Sequence, residues 1–304
     1  MESIALTDVE RIGLFEVRPD PIDIVLDTDT FNEIDDQFAV VYALLARDTI
    51  RVQGICAAPF LNSRSRDAGD GMEKSYEEIQ RLLQRMENLG NVGVARGSTH
   101  FMKEYGQPVQ SDAVEMIYNA ASVHTPQNPL YIVAIGAPTN VSSALILHPE
   151  IISKVVVIWL GGHAWWWSNT AEFNCRQDPF ASQVLFDSGV ALVQIPCMGV
   201  ASHLITTVPE IDRYVKGQGA IGDYLSDIYR EYQESRPGTS KVIWDIATIG
   251  YLRNQSWSIG SYGHSPILNP NMTYSFDSQR HIIRHVHSLD RDAIIGDFYA
   301  LLSK

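Results

Sequence analysis

Short, nearly unbroken apolar runs recur along the chain: IDIVLD (22–27), IRVQGICA (50–57), VGVA (92–95), LYIVAI (130–135), KVVVIWL (154–160) and VALVQI (190–195). Between them the apolar positions take a helical spacing over 36–47, 71–86, 112–121, 140–147 and 179–187. A strand that is apolar on both faces has to be covered on both faces. Such strands alternating with helices therefore predict an α/β fold with a mostly parallel sheet flanked by helices. After Pro196 the pattern turns largely helical, clearest over 221–234 and 242–253. One late strand-like run, HIIRHV (281–286), precedes a last helix from Asp290. No linker, repeat or low-complexity tract interrupts 22–304, so one domain with a helical C-terminal part is expected. A short extension, 1–21, closed by Pro19 and Pro21, comes before it.

The stretch VLDTDTFNEIDDQFAV (25–40) breaks the apolar pattern with four aspartates, Asp27, Asp29, Asp35 and Asp36, in ten positions. Like charges held a few ångströms apart raise each other's pKa unless a proton or a cation intervenes. Ile22–Leu26 reads as a buried strand, and Asp36–Arg47 as a helix with Phe38, Val41, Leu44 and Leu45 on its apolar face. The acids thus fall at a strand's carboxyl end, where open α/β sheets bind ligands. An all-carboxylate set is a hard-oxygen site suited to Ca²⁺ or Mg²⁺. The plainer reading is an acidic surface loop with an aspartate capping the helix, but a cap uses one aspartate, not four.

Three further stretches fall where strands end. In IGAPTNVSSAL (135–145), Thr139 and Asn140 open a helix, and Thr139 serves equally well as its N-cap. In WLGGHAWWWSNTAEFNCRQDPFAS (159–182), Gly161 and Gly162 end a strand, and Glu172 and Asn174 could bond sugar hydroxyls while Phe173 between them faces elsewhere. Trp165, Trp166 and Trp167 suit stacking on a flat ligand, or a lid or subunit contact. In SKVIWDIATIGYL (240–252), Asp245 follows Trp244 near a helix start, and alone it would read as a cap. His100, His163 and His264 are loop histidines that could donate a proton. His281, His285 and His287 share one strand face without a flanking acid, which favours a packed or solvated face over a transition-metal site.

Composition narrows the partners. The 304 residues are 45% apolar and 19% charged, as in an ordinary globular chain long enough to bury a large core. A net charge of −13 and a pI near 5.0 argue against nucleic acid or an anionic membrane, both of which need a basic face. Cys56, Cys175 and Cys197 are far apart and form no CxxC pair, which fits a reducing compartment. With no signal-like N-terminal run and no apolar stretch approaching about 18 residues, a cytoplasmic protein is expected. GxSxG, GxGxxG and P-loop motifs are absent.

DTDTFNEIDD, APTN, LGG followed by AEFN and DP, and WD, in that order from about residue 22 to about 255, resemble the inosine-uridine preferring nucleoside hydrolases. The resemblance implies a single-domain Rossmann-like fold, bound Ca²⁺, a homodimer or homotetramer, and cleavage of the N-glycosidic bond of ribonucleosides. Carried over position by position, it implies Asp29 as calcium ligand and general base, Asp36 and Asp245 as calcium ligands, and Thr139 as donor of a backbone carbonyl. Asp35 would hold the ribose 2′-hydroxyl, Glu172 and Asn174 the far side of the sugar, and Asp27 would stand behind the metal ligands. Asn62 is nearest the asparagine expected after the second strand, and Asn169 nearest a further ribose contact.

The chain departs from the family pattern in three places. Five residues, Thr30 to Ile34, separate the second and third aspartates instead of three, and the loop between GG and AEFN is shorter. Trp244 stands where much of the family has a histidine that acts as, or near, the leaving-group acid. The Trp-Asp pair resembles the purine-preferring branch, which stacks the base between aromatic rings, so purine ribonucleosides are expected to be favoured. The residue types suit the chemistry: glycosidic cleavage passes through an oxocarbenium-like state that carboxylates stabilise. Two rivals share some of these features. DTDT also resembles the nucleophile loop of haloacid-dehalogenase-like phosphatases, but Phe31 stands in its fifth position and no lysine or paired-acid motif follows. A non-catalytic ribose or nucleoside sensor could use the same fold.

Overall fold

The apolar runs become strands of one sheet. A computed structural model describes residues 6–18, 21–87, 89–90, 92–233 and 238–304. After helix α1 (Asp8–Leu14) the chain runs β1 (Ile22–Thr28), α2 (Asp35–Leu45), β2 (Ile50–Ala57), α3 (Ala68–Leu83), β3 (Gly93–Arg96), α4 (Asp112–Ser122), β4 (Leu130–Ala134), α5 (Thr139–Leu147) and β5 (Val155–Leu160). Two helices, α6 (Phe173–Gln177) and α7 (Pro179–Asp187), lead to β6 (Ala191–Ile195). Then follow β7 (Ile205–Thr207), α8 (Val208–Tyr214), α9 (Gly219–Tyr232), β8 (Ser240–Val242), α10 (Ile246–Arg253), β9 (Ser258–His264), β10 (Ile267–Leu268), β11 (Tyr274–Ser275), β12 (Ile282–Leu289) and α11 (Arg291–Leu302).

The main sheet has eight strands in the order β3-β2-β1-β4-β5-β6-β12-β9, all parallel to their neighbours except the edge strand β9. Strands β4, β5 and β6 are buried at every position, which is why they read as continuous apolar runs. Their side chains still alternate. Ile24, Leu26, Tyr131, Val133, Val156 and Ile158 face the larger core with α2, α10 and α11, while Val25, Ile132, Val157 and Leu192 face a second core with α4 and α5.

The structure shifts one expected boundary and adds elements that the sequence pattern did not show. The helix expected over 242–253 begins only at Ile246, because Ser240–Val242 pairs antiparallel with Ile205–Thr207. Strand β9 was not legible: Gly260 and Gly263 interrupt it, and its outward residues Ile259 and Tyr262 are exposed at the sheet edge. The expected extension holds α1, which packs on the domain. Its buried Arg11 donates to the carbonyl of Gly189 at 3.0 Å, and Phe15 is 1% exposed. Pro19 and Glu234 lie outside the described residues.

Candidate active site

Strand β1 has β2 on one side and β4 on the other, so the winding direction reverses between β1 and β4 and a crevice opens at their carboxyl ends. A cavity of about 300 Å³ lies there. Its wall comes from successive strand ends: Asp29, Asn32, Glu33, Asp35 and Asp36 after β1, Ile135 after β4, Leu160 and His163 at β5, Cys197 and Met198 after β6, and Trp244 with Asp245 before α10. The short helix α6 adds Glu172, Phe173, Asn174 and Arg176.

The floor is a set of buried acids. Asp29 is 0% exposed, and neither of its carboxylate oxygens has a hydrogen-bond partner. Asp36 accepts from the Thr28 hydroxyl at 2.5 Å. Asp35 accepts from the backbone N–H of Trp244 at 3.3 Å and has the Lys241 ammonium 3.6 Å away. One oxygen from each of Asp35, Asp36 and Asp245 lies within 4.8 Å of the others. Burial first, and then the charges of neighbouring acids, push Asp29 and Asp245 well above the usual carboxylate range and Asp36 up to about 8. Protons or a cation can relieve such a cluster, and an oxygen-only donor set suits a hard divalent ion.

The plainer cap readings fail here. Ile34, not an aspartate, holds the N-cap position of α2. Asp245 occupies that position of α10 but makes no capping hydrogen bond. Thr139 is the first residue inside α5, after Pro138, and its hydroxyl donates to Asp178 at 2.7 Å.

Behind the floor, Asp27 accepts from the Asn140 amide at 2.8 Å, and that amide also donates to the carbonyl of Ala57 at 3.2 Å. The other Asp27 oxygen is buried without a partner, and burial pushes its pKa up to about 7. Asn140 is held in turn by the N–H and hydroxyl of Ser98, both at 2.8 Å from its oxygen. Sequence alone singled out Thr139 and left Asn140 without a role.

Glu172 accepts three backbone N–H groups, from Gly162 and Cys175 at 3.0 Å and from Asn174 at 2.9 Å. Gly162 can aim its N–H this way because its φ is +70°, which a residue with a Cβ rarely adopts. Burial nonetheless raises the Glu172 pKa. Asn174 spends its amide hydrogens on the carbonyls of Ile135 and Leu160, at 3.2 and 3.0 Å, which leaves its oxygen for a ligand. Phe173, expected to face elsewhere, lines the cavity and carries the Arg176 guanidinium over its ring at 5.5 Å.

Other expected residues stand back from the wall. Asn62 donates to the backbone and side-chain oxygens of Asn32, at 3.2 and 2.6 Å, and so props the long aspartate loop while Asn32 itself faces the cavity. Asn169 is exposed and accepts from the N–H of Ala171 at 3.0 Å. Thr139 is buried behind the lining. None of the three consecutive tryptophans is in the lining. Trp165 donates to Gln194 and stacks on His285, Trp166 stacks on His287, and Trp167 meets His163 edge-on. Of His100, His163 and His264 only His163 lines the cavity, and His264, expected in a loop, is the last residue of β9. His100 is exposed, and His264 is engaged with the carbonyl of Arg280 at 2.6 Å. Cys197, Met198, Phe173 and Arg176 were missed as lining residues. The first two follow a strand end that the strand-end rule would have flagged.

A family profile described as inosine-uridine preferring nucleoside hydrolase matches residues 24–284. The pyrimidine-specific ribonucleoside hydrolase RihA of Escherichia coli O1:K1 is 33% identical over 127 residues, 41% of this chain and 39% of that protein. The chain spans about half the length, or less, of the curated relatives it matches. Among solved structures, the purine-preferring ribonucleoside hydrolase from Gardnerella vaginalis superposes with a TM-score of 0.72 at 19% identity, covering 92% of this chain and 98% of that one. The inosine-uridine preferring nucleoside hydrolase from Bacillus anthracis gives 0.69 at 16% identity, over 93% and 99%. At these identities the likeness shows the fold, and the profile match over most of the length carries the kinship. The haloacid-dehalogenase reading falls with it, and the chain belongs to the inosine-uridine preferring nucleoside hydrolase family.

Proposed function

We propose that the protein hydrolyses the N-glycosidic bond of ribonucleosides to ribose and free base, with Ca²⁺ as cofactor and purine ribonucleosides favoured. The observation that carries this is Asp29, buried at the cavity floor with both oxygens free of donors beside a cluster of three more carboxylates. A carboxylate so placed is available to take a proton from an attacking water, a contribution typically worth about 10²–10⁴ in rate. Asp29, Asp36, Asp245 and the Thr139 carbonyl would hold the cation. When bound, it would offset the repulsion among these acids and lower the pKa of a water beside it. Asp35, at the N-terminus of α2, would accept the ribose 2′-hydroxyl. Glu172 and the Asn174 oxygen would accept hydroxyls on the sugar's other side. The same negative wall would stabilise the positive charge that spreads over C1′ and the ring oxygen.

Trp244 carries the base preference, because it lines the cavity next to Asp245 and a purine offers an indole more face than a pyrimidine. RihA is named for pyrimidines and the Gardnerella protein for purines, so the kinship is compatible with either preference. For assembly, the edge strand β9, with Ile259 and Tyr262 exposed, supports a homodimer or homotetramer. No helix among the described residues is long and apolar enough to cross a membrane. The test is turnover of inosine, guanosine, uridine and cytidine, read as released ribose. Purine kcat/KM above pyrimidine is expected. Binding without release would turn the reading into that of a nucleoside sensor.

A further inference from the structure

The proposed reaction leaves a negative charge on the departing base, whose face the indole of Trp244 is placed to cover. Stacked on the face of the base, an indole holds its N–H in the plane of its own ring, turned away from the base nitrogens, so Trp244 is no donor to them. The other side-chain donors in the wall are those of Asn32, which Asn62 ties through its oxygens to the aspartate loop, and of Asn174, Arg176, Cys197 and His163. The amide hydrogens of Asn174 are committed to two carbonyls, and the thiol of Cys197 is buried, with burial and the nearby Glu172 pushing its pKa well up. Arg176 is exposed, against the face of Phe173. His163 is the imidazole in this wall.

Its surroundings fix which nitrogen can act. The Met198 N–H points at His163 Nδ1 from 3.3 Å, so Nδ1 is the acceptor and the ring hydrogen sits on Nε2. The backbone N–H of His163 donates to the Thr170 hydroxyl at 3.1 Å, and Trp167 packs edge-on at 6.2 Å between centroids, so main chain and ring are both held. Burial disfavours the charged ring, opposed in part by a hydrogen bond to the Gly162 backbone, so the ring is held toward its neutral form.

Resting on the ribonucleoside hydrolase reading above, we propose that His163 is a catalytic residue that donates a hydrogen bond from Nε2–H to the leaving base. As the C1′–N bond breaks, its electron pair stays on the base nitrogen. Water delivers hydroxide to C1′ and a proton to Asp29, and the base takes its own proton from solvent. His163 begins and ends neutral, and stabilises the developing anion without transferring its hydrogen. Removing one preorganised donor to a developing charge typically costs about 10²–10³ in rate.

The test compares inosine with p-nitrophenyl β-D-ribofuranoside, whose phenolate leaves without help. His163→Ala should lose about 10²-fold in kcat on inosine and keep the nitrophenyl riboside rate within a few-fold, which also shows that the variant is folded. His163→Gln presents an amide N–H near the Nε2 position and should restore most of the inosine rate. Equal losses on both substrates, an unchanged inosine rate in His163→Ala, or no recovery in His163→Gln would overturn the assignment. If the native protein releases ribose from neither substrate, the hydrolase reading itself has failed, which is a separate outcome.

Discussion

Asp29, at the end of β1, and Asp178, at the start of α7, are both fully buried aspartates, and burial raises the pKa of each. Their surroundings differ. Asp178 is saturated: it accepts the N–H groups of Met102 and Ala181, both at 2.9 Å, and the Thr139 hydroxyl at 2.7 Å. It ties α7 to α5 and to the loop at Met102. Asp29 has no donor at all, and Asp36, Asp35 and Glu172 add their charges to its burden. One carboxylate is placed for stability. The other is left costly in the protein alone, as a group that must meet a ligand is.

The difference should appear first in turnover. Asp29→Asn keeps the shape and removes the base, so kcat should fall by about 10²–10⁴ with no loss of melting temperature in chelator-treated protein. Asp178→Asn should do the reverse, costing about 1–3 kcal/mol in urea unfolding and leaving kcat within a few-fold. If the Asp178 variant were the less active of the two, the contrast would be misdrawn. Next in size is sugar recognition: native protein should turn over 2′-deoxyinosine on the order of 10² more slowly than inosine, and Asp35→Ala should erase that gap. Comparable native rates on the two would take Asp35 out of that role.

A smaller effect is expected at Trp244. Trp244→Ala should lose purine turnover about tenfold more than pyrimidine turnover, the size of one aromatic stacking contact realised in the transition state. Uridine preferred by the native protein, or equal losses on both, would reduce Trp244 to packing. The smallest effect is on pH dependence. In cation-free protein, Asp36 and Asp27 bind protons more tightly folded than unfolded, with pKa values raised to about 8 and about 7. Their folded form is therefore favoured below the unfolded carboxylate pKa, and that advantage is lost as pH rises through these folded values. Chelator-treated protein should accordingly melt several degrees lower at pH 8.5 than at pH 5. Saturating calcium should flatten or reverse that slope, while Asp178, whose donors oppose its burial, should contribute little. A melting temperature that climbs with pH in chelator would remove the repulsion argument.

Much of the fold was legible because the central strands are buried on both faces and leave a pattern that polar substitution cannot blur. Ile22–Thr28 and Val155–Leu160 emerged within a residue of expectation. Strand β9 was hidden because an edge strand with glycines and a solvated face has no such pattern. The acid floor was legible for the opposite reason, since four aspartates in ten positions serve no core. The cavity wall was not. Whether Phe173 faces in or out, or which tryptophan meets a ligand, depends on how the short helix α6 and the loop before it fold back, and a residue-level period does not set that. Asn140 escaped for a related reason: its partner Asp27 is 113 residues away, brought close only when β1 and β4 pair.

The proposed chemistry needs a cation among Asp29, Asp35, Asp36 and Asp245. Calorimetric titration of Ca²⁺ into chelator-treated protein, run beside Asp245→Asn, asks this directly. The native protein should take up about one calcium per chain and melt at a higher temperature once it is bound, and the variant should lose both. No binding heat and no thermal shift in the native protein at millimolar calcium would contradict that chemistry.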